Sequence, residues 1–156
     1  MDNAITNTSS YRYLTLGEDF LRFAWIEKGK VLQELPLDLG YRYISRKYFV
    51  SDIPSEGEVE NAINYIEDIL MTKKQLVNDS QNSLYTQSNF VFSILGESSY
   101  LSVQQIEDLF NRWASLSMGK PARSENIQYQ KDHFALILII REIIHHLQFE
   151  GINIIV

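Results

Sequence analysis

Side chains able to carry out chemistry are sparse in this sequence, and their spacing excludes most reaction types. The three histidines, His133, His145 and His146, share one helical stretch. There, positions 145 and 146 project about 100° apart and 133 lies roughly three turns away, which suits a helix-flank role better than a metal site. With no cysteine, disulfides and thiolate ligands are excluded, as befits a reducing cytoplasm, the expected compartment. No Ser-His-Asp arrangement, Walker loop or dinucleotide fingerprint is present. The densest cationic group is Arg42, Arg46 and Lys47. It reads either as a solvated helix face or as an anion patch for polyphosphate or nucleotide. Trp25 and Trp113 read as core. No catalytic residue, metal ligand or cofactor is expected.

The elements that must position these residues begin with a β-meander. Tyr11, Tyr13 and residues 14–16 make an apolar run ending at Gly17; Leu21, Phe23, Trp25 and Ile26 make a second; residues 31–39 make a third after the turn at Lys28, Gly29 and Lys30. Alternating apolar runs bounded by glycine turns are strand signals, and Gly29 takes positive φ without cost, so the second and third strands form a hairpin. Ser55 and Glu58 have capping-box spacing before Val59, Ala62, Ile63, Ile66, Ile69 and Leu70, an amphipathic helix ending near Lys73 and Lys74. Residues 78–89 are polar and read as a surface loop that Leu84 and Tyr85 tack down, and residues 90–95 as a buried central strand closed by Gly96. Ser102 and Gln105 repeat the capping box, with Leu101 and Ile106 placed as a staple, and Gly119 and Pro121 stop that helix. Residues 127–148 read as the longest helix and residues 152–156 as a final strand.

A chain of 156 residues, 45% of them hydrophobic, can bury a single core. The expected organisation is a disordered leader over residues 1–10 and one domain over residues 11–156. No apolar run approaches the roughly 20 residues of a membrane span, and the start has no basic-then-apolar signal pattern. The net charge of −6 disfavours a general nucleic-acid surface.

The order of these elements resembles the second lobe of the exopolyphosphatase / guanosine pentaphosphate phosphatase family. Gly29-Lys30-Val31-Leu32 and Leu37-Asp38-Leu39-Gly40 are similar to that family's Gly-Lys-Val-Leu and Leu-Pro-Leu-Gly without a gap, and Ile44-Ser45-Arg46-Lys47-Tyr48-Phe49 stands where it has Leu-Thr-Glu-Arg-Phe. The pattern Leu-Ser, Ile-Glu and Leu within residues 101–109, the turn Ala114-Ser115-Leu116-Ser117, and the apolar run from Asp132 to Val156 resemble its closing order. Matches extend over residues 13–156. The resemblance implies an α/β domain of ribonuclease H-like, actin-like type: a mixed five-stranded sheet with helices on its faces.

The departures from the family decide what function the resemblance implies. The family's first phosphate loop, an Asp followed by Ile-Gly-Gly-Gly-Ser-Thr-Glu, falls on Thr15, Leu16, Gly17, Glu18, Asp19, Phe20, Leu21 and Arg22. Two carboxylates thus stand where a polyanion docks, and like charges at close range cost several kcal/mol at an effective dielectric of about 20. Glu18 and Asp19 could rescue an ion site only if they converged, and adjacent side chains on a strand exit point apart. The second phosphate loop falls on Ile94, Leu95, Gly96, Glu97 and Ser98, with one glycine and a further acid. The family's Arg and Glu after the Leu-Gly segment fall on Tyr43 and Arg46. Neither a first lobe nor the family's later Ser-Asp and Gly-Leu-Arg-Glu-Gly segments is found in the chain. Gly17, Glu18, Asp19, Gly96 and Glu97 are therefore the degenerate ligand positions. The expectation is a non-catalytic relative acting through protein contacts, as a homo-oligomer or with a partner, across residues 134–147, 17–20 and 94–97. Alternatives are a phosphatase of polyphosphate or guanosine pentaphosphate completed in trans, and a regulatory binder using Arg42, Arg46 and Lys47.

Overall fold

The computed structural model describes residues 10–77 and 83–156. β1 (Ser10–Leu16), β2 (Leu21–Glu27) and β3 (Lys30–Leu37) form the expected meander. Both β1 with β2 and β2 with β3 pair antiparallel, and the register sets Leu14 opposite Phe23 and Tyr13 opposite Ala24. Lys28 and Gly29 turn the hairpin with φ of 51° and 78°, the two left-handed residues that match the twist of the flanking strands.

Beyond the meander come α1 (Tyr41–Tyr48), α2 (Glu56–Val77), β4 (Ser83–Gln87), α3 (Asn89–Ile94), β5 (Tyr100–Ser102), α4 (Val103–Ala114), α5 (Lys131–His146) and β6 (Gly151–Ile155). The six strands lie in the order β3-β2-β1-β4-β6-β5. β4 runs parallel to both β1 and β6, while β5 is antiparallel to β6. The α/β class and mixed sheet are as expected; among the described residues the sheet has six strands rather than five, because three-residue β5 adds an edge.

Three expectations are corrected. The central strand is β4, inside the stretch read as a polar loop; only Leu84 and Thr86 turn inward, so its composition stays polar. Residues 78–82 of that stretch, like residues 1–9 of the leader, lie outside the described residues, and Ser10 opens β1. Residues 90–95 form α3 and its cap instead of a strand. Ser88 sets this: its Oγ accepts from Val91 N at 3.2 Å, and its carbonyl accepts from Phe92 N, and a short apolar run suits either structure until such a cap decides. The last helix starts at Lys131, not 127, because Asn126 is left-handed at φ 55° and Gln130 is extended. α2, with 22 residues, is the longest helix.

Both capping boxes form. Ser55 Oγ accepts from Glu58 N while Glu58 Oε1 accepts from Ser55 N, and Ser102 and Gln105 exchange the same bonds. Glu58 also accepts from Val50 N and Ser51 N. α5 packs against α1, α2 and α4, with every residue from Phe134 to Ile140 wholly buried. A stretch apolar all round is core, so residues 134–140 lie inside the domain, while Arg141, His145 and His146 beyond them reach the surface. The core it centres also takes Leu14, Phe23, Ile152 and Ile154 of the sheet. Among the described residues no helix is long and apolar enough to cross a membrane.

Candidate functional site at the carboxyl edge of the sheet

In open α/β sheets, ligands bind beyond the carboxyl ends of the parallel strands. Here β1 and β4 leave the sheet through residues 17–20 and through Ser88, whose N donates to Ile155 O at 3.1 Å. The first turns of α1, α3 and α5 meet at this edge. Tyr41 contacts Phe90 at 5.6 Å between ring centroids, and Phe90 contacts His133 at 5.1 Å. Burial holds the His133 imidazole pKa below its ordinary value, with Asp132 opposing.

The loop after β1 is a closed turn. Gly17 N donates to Phe20 O at 3.1 Å, so the amide at the family's glycine position is used within the turn. Gly17 O accepts from Tyr41 N, and Glu18 O accepts from both Arg42 N and Tyr43 N, at 3.0 to 3.3 Å. These are amides that a helix start leaves without partners and that an anion could otherwise take. The fit depends on Gly40, the last residue before α1: a Cβ there would stand 2.2 Å from Glu18 O and Asp19 C.

Side chains complete the closure. Arg42 Nη1 is 2.8 Å from Glu18 Oε2, and its Nε is 3.4 Å from Asp132 Oδ2. Buried Ser45 donates from Oγ to Asp132 Oδ1. Burial works against the Arg42 charge, yet Glu18 and then Asp132 more than offset it and hold its pKa above the ordinary value. Asp19 is exposed and lines a shallow cleft with Asp38, Tyr43 and Tyr65.

Arg42, Arg46 and Lys47 all lie on α1, and two of the three have partners. Arg42 is held by two acids, whereas Lys47 donates to Tyr43 Oη at 2.9 Å and sits 5.4, 5.7 and 5.9 Å from the rings of Tyr43, Tyr48 and Tyr65. Arg46 is exposed. Gly96 and Glu97 form the C-terminal turn of α3, with φ of 83° and 58° and Glu97 N donating to Phe92 O. They follow a helix rather than the central strand, whose own exit is Ser88. Clefts of about 350 and 370 Å³ lie beside Gly96 and Arg112; the first also reaches Trp113 and His133.

Asp132 is the functional-edge residue that sequence reasoning passed over, and its separation from Arg42 by 90 positions left no local signal. Among the described residues, the set whose donor atoms could hold a cation is Glu67, Glu142 and His146. It lies at the other end of α5, away from this edge.

No protein-family model matches the sequence, and no curated protein matches it. Solved structures do. The Ppx-GppA enzyme of Aquifex aeolicus superposes with a TM-score of 0.75 at 13% identity, over 97% of this chain and 55% of that one. An exopolyphosphatase from Cytophaga hutchinsonii gives 0.68 at 18% identity, over 95% and 53%. An exopolyphosphatase-like protein gives 0.73 at 8% identity, over 99% and 56%. The chain thus spans little more than half the length of these proteins, and what it shares with them is the fold of a single Ppx/GppA-like lobe.

Proposed function

We propose that this chain is an exopolyphosphatase-related domain that does not itself hydrolyse polyphosphate or guanosine pentaphosphate and acts through contact with protein, either a second copy or a partner. The observation that carries this reading is the self-closed loop after β1. Its glycine amide is bonded within the turn, its carbonyls fill the start of α1, and its Glu18 carboxylate holds Arg42. A phosphate brought here meets acceptors in place of donors. Phe20 on that loop and Phe90 at the start of α3 are exposed, an apolar complement to a protein surface rather than to a polyanion.

The test is phosphate release from polyphosphate and from guanosine pentaphosphate, run beside thermal unfolding and light-scattering mass with each ligand. The expected result is no release, no shift in melting temperature, and a mass indifferent to both. An oligomeric mass identifies a second copy as the partner, and a monomeric one directs the search to another protein. Release of phosphate, or stabilisation by either ligand, overturns the reading in favour of a site completed in trans or a regulatory phosphate binder.

A further inference from the structure

The C-terminal end of α5 holds a charged cluster independent of the carboxyl edge. Glu142 and His146 stand four residues apart, on one side of the helix, and Glu67 reaches them from α2. His146 Nε2 is 2.9 Å from Glu142 Oε2 and 3.2 Å from Glu67 Oε1. One donor atom from each of the three residues lies within 4.8 Å of the others. Glu142 is only 2% exposed, and its other oxygen accepts from Arg141 Nη1 at 2.7 Å. Arg141 is in turn clamped by both oxygens of Glu107, at 2.8 and 3.1 Å.

Three carboxylates here face one guanidinium and the imidazole of His146, with the exposed His145 ring beside it. Burial raises the Glu142 pKa above its ordinary value, and Arg141 and His146 only partly oppose this. The cluster is short of positive charge at its buried end, while Glu67 and His146 open towards solvent.

We propose that Glu67, Glu142 and His146 form a binding site for a divalent transition-metal cation, of which Zn²⁺ is the representative. Bonds of about 2.0 to 2.2 Å at tetrahedral to octahedral angles separate ligand atoms by about 3 to 3.5 Å; the two N···O distances fall in this range, and the two carboxylate oxygens, within 4.8 Å of each other, need at most a small side-chain rotation to close on a cation. The imidazole selects for zinc, nickel, cobalt or iron over magnesium and calcium, which prefer all-oxygen sets. The chain Glu142, Arg141, Glu107 fixes the buried carboxylate, as the partners of metal ligands commonly do. Three protein ligands leave at least one position on the solvent side for water or an exogenous donor.

The test is calorimetric titration of the EDTA-stripped full chain with ZnCl₂, together with the visible spectrum of the Co²⁺ form. Glu142→Gln risks the fold through its burial, so the variants are Glu67→Gln and His146→Gln, both at the cluster's open side, with circular dichroism to confirm folding. His145→Gln serves as the neighbouring control, because His145 is exposed and outside the triad. The expected result is one Zn²⁺ per chain, at least tenfold weaker binding in each triad variant, and unchanged binding in His145→Gln. Failure of wild type to bind, or binding that survives both triad substitutions, overturns the assignment and leaves a hydrogen-bonded ion-pair cluster. Loss on His145→Gln with retention on His146→Gln likewise overturns it.

Discussion

The two ends of α5 solve the problem of clustered charge in opposite ways. At its start, Asp132, Arg42, Glu18 and Ser45 form a chain in which two acids share one guanidinium where water still reaches all three, and the backbone of residues 17 and 18 fills the helix start beside it. At its end, Glu107, Arg141, Glu142, His146 and Glu67 gather more acid than base around a carboxylate almost removed from water. Exposed pairs contribute little, at most about 1 kcal/mol. Buried ones gain much from each partner but cost desolvation, so losing one partner is severe. The carboxyl edge is therefore closed and cheap to alter in its side chains, whereas the far end is held under electrostatic demand.

Arg141→Ala should expose this demand most sharply. It strands Glu142, frees Glu107 and removes the guanidinium 4.2 Å above the Phe110 ring, so chemical denaturation should show a loss of about 3 kcal/mol. Zn²⁺ should raise the melting temperature of this variant less than that of wild type, because Arg141 no longer fixes the Glu142 carboxylate that binds the cation. An equal shift in both would separate the metal from Glu142. At the other end, Gly40→Ala strikes the backbone closure. Its Cβ meets Glu18 O and Asp19 C at 2.2 Å, and the loop must move, at roughly 2 kcal/mol. Protease cleavage within residues 17–20 of the variant would report the opened loop.

The same comparison can be sharpened with pH. Glu142 has its folded pKa raised by burial above the ordinary 4.5, and Glu107 has its own lowered, chiefly by hydrogen bonding to Arg141. A raised carboxylate binds its proton more tightly when folded, so the Glu142 contribution to stability falls as pH rises from about 4.5 through its folded pKa. The Glu107 contribution has the other sign, present above about 4.5 and lost as pH falls through its lower folded pKa. Glu142→Gln should therefore make denaturation stability rise more steeply with pH above 4.5 than in wild type. An unchanged slope would mean that the buried carboxylate is fully compensated.

What the sequence disclosed and concealed follows the range of the forces involved. The hairpin at Gly29 and both capping boxes were legible because a turn or a cap is decided within four residues. β4 was hidden because a five-residue strand with two inward side chains, Leu84 and Thr86, carries too few apolar positions to stand out from a polar loop. α3 was misread because Ser88, not the apolar run after it, selects helix. At the candidate site, Gly17 and Glu18 were visible in sequence as a rewritten loop, yet their bonds to α1 depend on Gly40 coming to rest beneath them. The four-residue spacing of Glu142 and His146 was present in the sequence; Glu67 joins them only because α2 packs on α5. Arg42 and Lys47 looked like one basic group, but Arg42 is engaged by Glu18 and Asp132, which lie 24 and 90 positions away, while Lys47 turns to Tyr43, Tyr48 and Tyr65.

Glu18→Gln should have the smallest effect on stability and the most informative one on function. The Glu18 side chain is half exposed and shares Arg42 with Asp132, so its loss should cost less than about 1 kcal/mol. The backbone carbonyl that receives Arg42 N and Tyr43 N is untouched, so the loop should keep its shape. Arg42 would then have one acid instead of two at the edge where a phosphate would arrive. If side-chain charge alone excludes phosphate, this variant should gain affinity for polyphosphate in a thermal-shift titration at low salt. If the backbone closure excludes it, Glu18→Gln should remain indifferent to the ligand, and the self-bonded turn rather than the acid would be what separates this lobe from a phosphate site.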